Sequence, residues 1–435
     1  MTPFQQVSTE PPLQERLPPS LRQNFRWTLT GNLVYSLCQW GMLSVLAKAG
    51  NVSMVGQFAL ALAIGGPVFM FTNLALRAIQ VTDGSRQYRF ADYFTLRLLT
   101  TMLGLLVIVI LVFTSRYDPV TRGVILLVAL AKFVECLSDV IGGLLQLNER
   151  LDQAAISLMI RGGLSILLFA ATFLWSRSLL ACTAAMCVAW LAVFVGYDLR
   201  RAKEALIPGE PYFRLDWRVD RKLVPLALPL GFVTMLLSLN GNLPRYLLEH
   251  YGGPAQLGMF ASMAYLLVAV STVVNALGQS ATVRLSSLFA AGNLEGFKKL
   301  MGKLLGIGFA VLLLSLPLAA IFGRTLLILM YRPEYGDSMG AFLIMVAAGG
   351  VSAVASFLGY GMTAARCFRA QVPLTVACTL TTAVAISLLV PRHGLVGAAL
   401  GLLASAMVLA VGCAVVLQTS IGRAQKVPIE SCENV

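Results

Sequence analysis

The sequence predicts an all-α integral membrane protein, with about twelve transmembrane helices in two pseudo-symmetric six-helix bundles around a central cavity. Composition is the first observation: 57% of the 435 residues are apolar and 12% are charged, with a mean hydropathy of +0.78, whereas soluble domains carry roughly 25% charged residues. Length is the second, because long apolar runs recur along the chain and a helix of about 20 residues crosses the ~30 Å hydrocarbon layer. The third is an internal echo. Val55-Gly56-Gln57-Phe58-Ala59 and Leu257-Gly258-Met259-Phe260-Ala261 share a G-x-F-A pattern at an offset of 202 residues, and Gly142-Gly143 is echoed more weakly by Gly359-Tyr360-Gly361. Halves with an even number of spans are parallel repeats, related by an axis along the membrane normal.

The apolar runs place spans at 28–47, 54–76, 93–114, 120–146, 153–175, 178–198, 223–247, 256–281, 304–323, 339–364, 371–390 and 394–418. They divide the chain into an N-terminal tail (1–27), a first bundle (28–199), a linker (200–222), a second bundle (223–419) and a C-terminal tail (420–435). The N-terminal tail is polar, with no apolar h-region before a small-residue cleavage site, so the first span is expected to act as the targeting element. The linker holds seven basic and four acidic residues with Pro208 and Pro211, and is the longest polar interruption. Of the 33 basic residues, 23 fall on the side carrying both termini and 7 on the other, which places both termini in the cytoplasm. That distribution accounts for the net charge of +13 through topology and anionic headgroups, and no nucleic-acid partner is expected.

Taken in order, the second span carries Gly65-Gly66-Pro67 at its middle, where proline frees a backbone carbonyl that must find a local partner. A hinge or a packing kink both fit. Arg77 follows near the terminal side, where it can reach headgroups or substrate. The fourth and fifth spans hold Lys132, Glu135, Asp139 and Arg161 inside apolar runs. Lys132, Glu135 and Asp139 share a helix face, and an antiparallel return would set Asp139 opposite Arg161. Ionised groups at bilayer depth cost roughly 2.5–3.5 kcal/mol each on insertion scales, so they must be paired or turned toward a wet cavity.

Two readings of this cluster stay open. It is either a self-neutralising net locking two helices, or a site in which Lys132 and Arg161 bind an anion while Glu135 and Asp139, like charges at i and i+4, carry a proton or ion. The seventh span crowds Ser238, Asn240, Asn242, Pro244 and Arg245 into its outer third, as if the helix unwound into the cavity. Arg245 precedes Glu249 by four residues, so an intrahelical pair is the alternative to a cavity-facing cation. In the eighth span Asn275, Gln279, Ser280 and Arg284 form a polar stripe toward the terminal side. Gly397 with Gly401 is suited to close helix packing.

Other chemistry is not indicated. The two histidines, His250 and His393, lie far apart in outer loops, so no metal site is expected. Eight scattered cysteines form no CxxC pair. The stretch Gly296–Leu304 has the wrong spacing for a phosphate loop, and no Ser or Thr follows its lysine. No cofactor and no catalytic residue are expected, and transport would run on a gradient of ions or of substrate.

The segments KFVECLSDVIGGLLQLNERLD, LPLGFVTMLLSLNGNLPRYLLEHYGGPAQLGMFASMAYL and YRPEYG…SFLGYGMTAARCFRAQVPL resemble the Wzx-type O-antigen and capsule repeat-unit flippases of the multidrug/oligosaccharidyl-lipid/polysaccharide exporter superfamily. The resemblance covers most of residues 27–420, and is most specific at Pro229-Leu230-Gly231 and Pro244-Arg245-Tyr246. It implies a bacterial inner-membrane protein that carries undecaprenyl-diphosphate-linked oligosaccharide from the cytoplasmic to the periplasmic leaflet by alternating access. Polysaccharide polymerase and chain-length proteins are then the expected partners. For such a headgroup the substrate-binding positions available are Arg77, Lys132, Arg161, Asn240, Asn242 and Arg245, with Glu135 and Asp139 for ion or proton coupling. An ion-coupled multidrug exporter of the same superfamily is the alternative. Basic groups inside the spans equal or exceed acidic ones, which disfavours it. A membrane-embedded polymerase or ligase is disfavoured by the short outer loops.

Overall fold

The structure, a computed structural model, describes residues 21–82, 88–206, 209–214, 217–365 and 367–426. Residues 1–20 and 427–435 of the two tails, and four residues within the linker, lie outside the described residues. Eight stretches are long and apolar enough to cross a bilayer. Two of them, Leu230–Asn275 and Ala370–Gly422, turn back on themselves at Gly253 and Gly394, where positive φ values of 70° and 51° reverse the chain, and so count twice. Leu21–Ala49 and Pro119–Leu147 have the length but carry more polar residues, and they complete twelve spans. The spans run alternately, so residues 21 and 426 share one end of the molecule, here called the terminal end, and the tight turns at 50–51, 115–118 and 253 share the distal end.

Local chemistry explains most of the boundaries. Asn51, Asp118 and Ser178 accept from backbone N–H groups at the distal starts of the second, fourth and sixth spans, and Asn293 does so at the terminal start of the ninth. Side chains such as Leu313, Leu314, Ile321 and Phe322 on the ninth span are exposed, as a surface solvated by lipid requires. The helix of the second span runs through Pro67 unbroken to Thr72. It breaks afterwards, at Leu74 and Ala75, both left-handed (φ 51° and 48°), before the short helix Leu76–Thr82. The break therefore falls beyond Gly65-Gly66-Pro67, where the sequence left a hinge and a packing kink open.

One apolar core runs through both halves, a separate cluster lies within the second half, and the second span packs against the helix pair Trp217–Ala290 that forms the seventh and eighth spans. Near the distal end the second and eighth spans cross at Gly56 and Gly258. A methyl group on Gly56 would strike the Pro254 carbonyl, and one on Gly258 would strike the Val52 carbonyl and crowd Gly56 N. These are the two glycines of the internal echo, so the two echoed segments pack against each other. Further distal ties follow. Trp40 Nε1 donates to the Tyr331 hydroxyl (3.2 Å), Tyr331 donates to Ser262 O (2.9 Å), and Lys48 Nζ donates to Leu329 O (3.0 Å). Tyr331 and Tyr335, from the YRPEYG segment, lie with ring centroids 5.0 Å apart behind this contact.

Candidate functional site

Pro67 has no N–H, so the carbonyl of Ala63 loses its helical donor. The hydroxyl of Tyr246, on the seventh span, donates to that carbonyl instead. The partner is thus supplied by the other half of the molecule. One turn along, Gly66 lets the second span approach Asn242 and Ser238, because a Cβ there would lie 3.0 Å from Asn242 Nδ2.

The seventh span stays helical through its amide-rich stretch; only Gly253 departs from helical geometry within 217–290. The expected unwinding does not occur. Asn242 instead donates to Ser238 O (2.8 Å), satisfying itself along the helix, and its Oδ1 accepts from Arg245 Nη1 (2.6 Å). The intrahelical Arg245–Glu249 pair is not formed. Arg245 Nε is buried and makes no hydrogen bond within the protein, as is Asn240 Oδ1.

In the first half the charged residues sort into three groups. Lys132 Nζ meets Glu135 Oε2 at 2.5 Å, and Glu135 Oε1 also accepts from the Tyr35 hydroxyl at 3.0 Å. Lys132 and Glu135 keep 28% and 24% of their side chains exposed, mid-way along the fourth span. Lys132 stands 5.6 Å from the Trp190 ring centroid. Toward the terminal end, Asp139 binds two guanidiniums, Arg77 Nη1 at 3.0 Å and Arg97 Nη2 at 3.2 Å. Arg77 also donates to Gln146 Oε1 (3.1 Å). The break at Leu74–Ala75 turns Arg77 toward this group. Gly142 and Gly143 leave the room for Arg77 and Gln80 beside the fourth span. Arg97 has no exposed surface, and its Nε and Nη1 make no hydrogen bond within the protein.

The third group corrects an expectation. Asp139 and Arg161 do not face each other. Arg161 Nη2 pairs with Asp198 Oδ2 at 2.9 Å, both 3% exposed, and Asp198 also accepts from the Ser157 hydroxyl at 2.5 Å. The Arg161 guanidinium also lies 5.8 Å from the Trp190 ring centroid, and Trp190 Nε1 donates to Ser165 (2.8 Å). The pair is sealed inside the first half. Asp198 reaches inward because Phe194–Asp198 forms a π-helical turn, closed by Leu199 N–H on Phe194 O. Glu135 and Asp139 likewise do not confront each other, since each is engaged by its own cations.

The structure thus sets these residues in separate groups, Arg77 with Asp139, Lys132 with Glu135, Arg161 with Asp198, and Asn242 with Arg245, and the second and third of them flank the same Trp190 ring. Sequence reasoning passed over Arg97, Asp198, Tyr35 and Trp190, and gave Tyr246 no role beyond its place in the Pro244-Arg245-Tyr246 motif. Asp198 carried a signal, as an acid closing an otherwise apolar run; Arg97 was counted only as a basic residue near the terminal side. Of the cations inside the spans, Arg245 has no carboxylate partner among the described residues.

The model of a family described as "Polysaccharide biosynthesis protein" matches residues 21–287. The capsular polysaccharide biosynthesis protein CapF of Staphylococcus aureus is 28% identical over 382 residues, 87% of this chain and 94% of that protein. Among solved structures, a multidrug resistance MATE family transporter of the MOP superfamily in an inward-facing conformation aligns with a TM-score of 0.69 at 15% identity, covering 91% of this chain and 96% of that one. A MOP superfamily transporter from Pyrococcus furiosus, described as having a binding pocket of reversed polarity, aligns with a TM-score of 0.59 at 16% identity, over 92% and 95% of the two chains. These two likenesses show a shared transporter fold.

Proposed function

The chain belongs to the polysaccharide biosynthesis protein family, and from that premise we propose that it is a flippase for undecaprenyl-diphosphate-linked oligosaccharide. On this reading it moves repeat units from the cytoplasmic to the periplasmic leaflet of a bacterial inner membrane by alternating access, with both termini cytoplasmic, for O-antigen, capsule or exopolysaccharide assembly. The observation that carries the proposal is Arg245, an intramembrane guanidinium oriented by an amide and lacking a carboxylate. Arg245 is half-buried with its Nε enclosed and unpaired; a cation so placed without an acid gains from an anion that joins it, and a lipid diphosphate is an anion that a membrane supplies.

The other groups fit the same path. Arg77 and Arg97 share one carboxylate, so the terminal-end group keeps an excess positive charge that can draw in a phosphate. Lys132 lies between the two regions and is held by Glu135. When substrate phosphate takes over Lys132, Glu135 keeps only the Tyr35 hydroxyl, and charge balance there calls for a proton or another cation. Glu135 is the coupling group on this reading, while Asp139 holds the two arginines. Asn240, Asn242 and Ser238 are the donors and acceptors for sugar hydroxyls. An exporter of cationic drugs would need an unpaired acid within the spans; Glu135, Asp139 and Asp198 are each paired with a cation, and Glu249, which has no salt bridge among the described residues, stands at the distal end of the seventh span beside the turn at Gly253. Polymerase and chain-length proteins are the proposed partners downstream.

The test uses cells lacking the chain and complemented with variants. Arg245→Gln should cut surface polysaccharide at least tenfold while lipid-linked repeat unit accumulates on the cytoplasmic side, and Arg245→Lys should recover part of the export. Normal export by Arg245→Gln, or loss of cationic-drug efflux with polysaccharide untouched, overturns the reading.

A further inference from the structure

At the terminal end of the first half, a cavity of about 490 Å³ opens where the third, fourth and sixth spans meet the linker. Phe94 and Leu137 form its buried floor, Phe194, Leu199 and Tyr212 its sides, and Arg200 and Lys203 stand exposed at its rim. The π-helical turn builds one wall. Five residues apart on an α-helix, Phe194 and Leu199 would point ~140° from each other, but the wider turn brings both to the slot while sending Asp198 inward to Arg161.

The linker builds the other wall and is fastened in place. The Tyr212 hydroxyl donates to Leu199 O (3.1 Å) and the Tyr212 ring packs edge-on against Phe90 at 6.4 Å. Phe90 N donates to Glu210 (3.2 Å) and Arg214 N donates to Thr95 (3.0 Å). These contacts hold the linker wall of the slot against the third and sixth spans.

Its charges distinguish it from an ordinary lipid-facing surface. Arg201, between the two rim cations, pairs with Glu204 at 2.7 Å and stacks on Tyr197, whereas Arg200 and Lys203 have no carboxylate partner among the described residues. They stand where the sixth span leaves the apolar layer, at headgroup depth. We propose that this slot is a binding site for an anionic phospholipid of the surrounding leaflet, its phosphate between Arg200 and Lys203 and one acyl chain along Phe94, Leu137, Phe194 and Leu199. Zwitterionic lipids bring a cation of their own to that mouth and are disfavoured by it. A lipid so held props the end of the sixth span against the third, directly outside the Arg161–Asp198 pair.

Native mass spectrometry of the purified full chain, equilibrated with equal amounts of phosphatidylglycerol and phosphatidylethanolamine, tests this. The native chain should retain one phosphatidylglycerol preferentially. The Arg200→Gln/Lys203→Gln variant should lose that preference about 30-fold, the effect expected of two charges beside an anionic headgroup. Leu199→Trp, which fills the slot without changing charge, should lose the bound lipid altogether. Lys298→Gln/Lys299→Gln, at the same end of the other half, should retain it. Unchanged retention in both slot variants, or an equal loss in the Lys298/Lys299 variant, overturns the site.

Discussion

Tyr246→Phe removes one hydroxyl, and that hydroxyl serves the Ala63 carbonyl which Pro67 leaves without a helical donor. A buried carbonyl left unpaired costs about 1–3 kcal/mol. The cost falls on the state in which the second and seventh spans touch, because Ala63 and Tyr246 belong to different halves. The equilibrium should therefore move toward states with those spans apart by about 5- to 150-fold. Spin labels at Arg116 and Arg392, exposed distal residues of the two halves, would report it by pulsed electron resonance in lipid nanodiscs, in a background without other reactive cysteines. Pro67→Ala supplies the missing N–H, and in that background Tyr246→Phe should change the distance distribution by less than about 2-fold. An equal shift in both backgrounds, or none in either, refutes the account.

Arg161→Ala should abolish export by stranding Asp198, at about 3–5 kcal/mol, whereas Arg161→Met with Asp198→Leu should restore folded, exporting protein; export assays on the single and double variants separate a sealed pair from a substrate contact. Asp139→Asn should destabilise by a similar ~3–5 kcal/mol, since Arg97 is fully enclosed, and adding Arg97→Met should recover part of it, read as thermal stability in detergent. Gly258→Val should hold the distal ends apart at a cost of roughly 1–3 kcal/mol, and Gly56→Val should produce the same change in label distance.

The spans were legible because apolar length and periodicity are local properties. All twelve expected spans overlap the observed ones. Tertiary choices were not legible in the same way. Period 3.6 put Lys132, Glu135 and Asp139 on one face, but it gave no means of choosing Asp198 over Asp139 as the partner of Arg161. That choice turned on a π-helical turn, a departure from the very periodicity being used. Proline at position 67 announced an orphan carbonyl, and only the docking of the second half revealed Tyr246 as its donor. The break at Leu74–Ala75 had no glycine or proline to mark it, because contacts around Arg77, Gln80 and the fourth span impose it.

The Gly56–Gly258 crossing bears on the ancestry of the chain. A contact in which a residue meets its own counterpart is the kind a homodimer makes on its two-fold axis, so two copies of a half-length forerunner could have closed on each other through this same glycine. In such a dimer every substitution appears twice and must suit both partners at once. Fusion into one polypeptide would remove that constraint, leaving Lys132, Glu135 and Asp139 free to arise on one side and Arg245 on the other while a glycine stays on each side of the crossing.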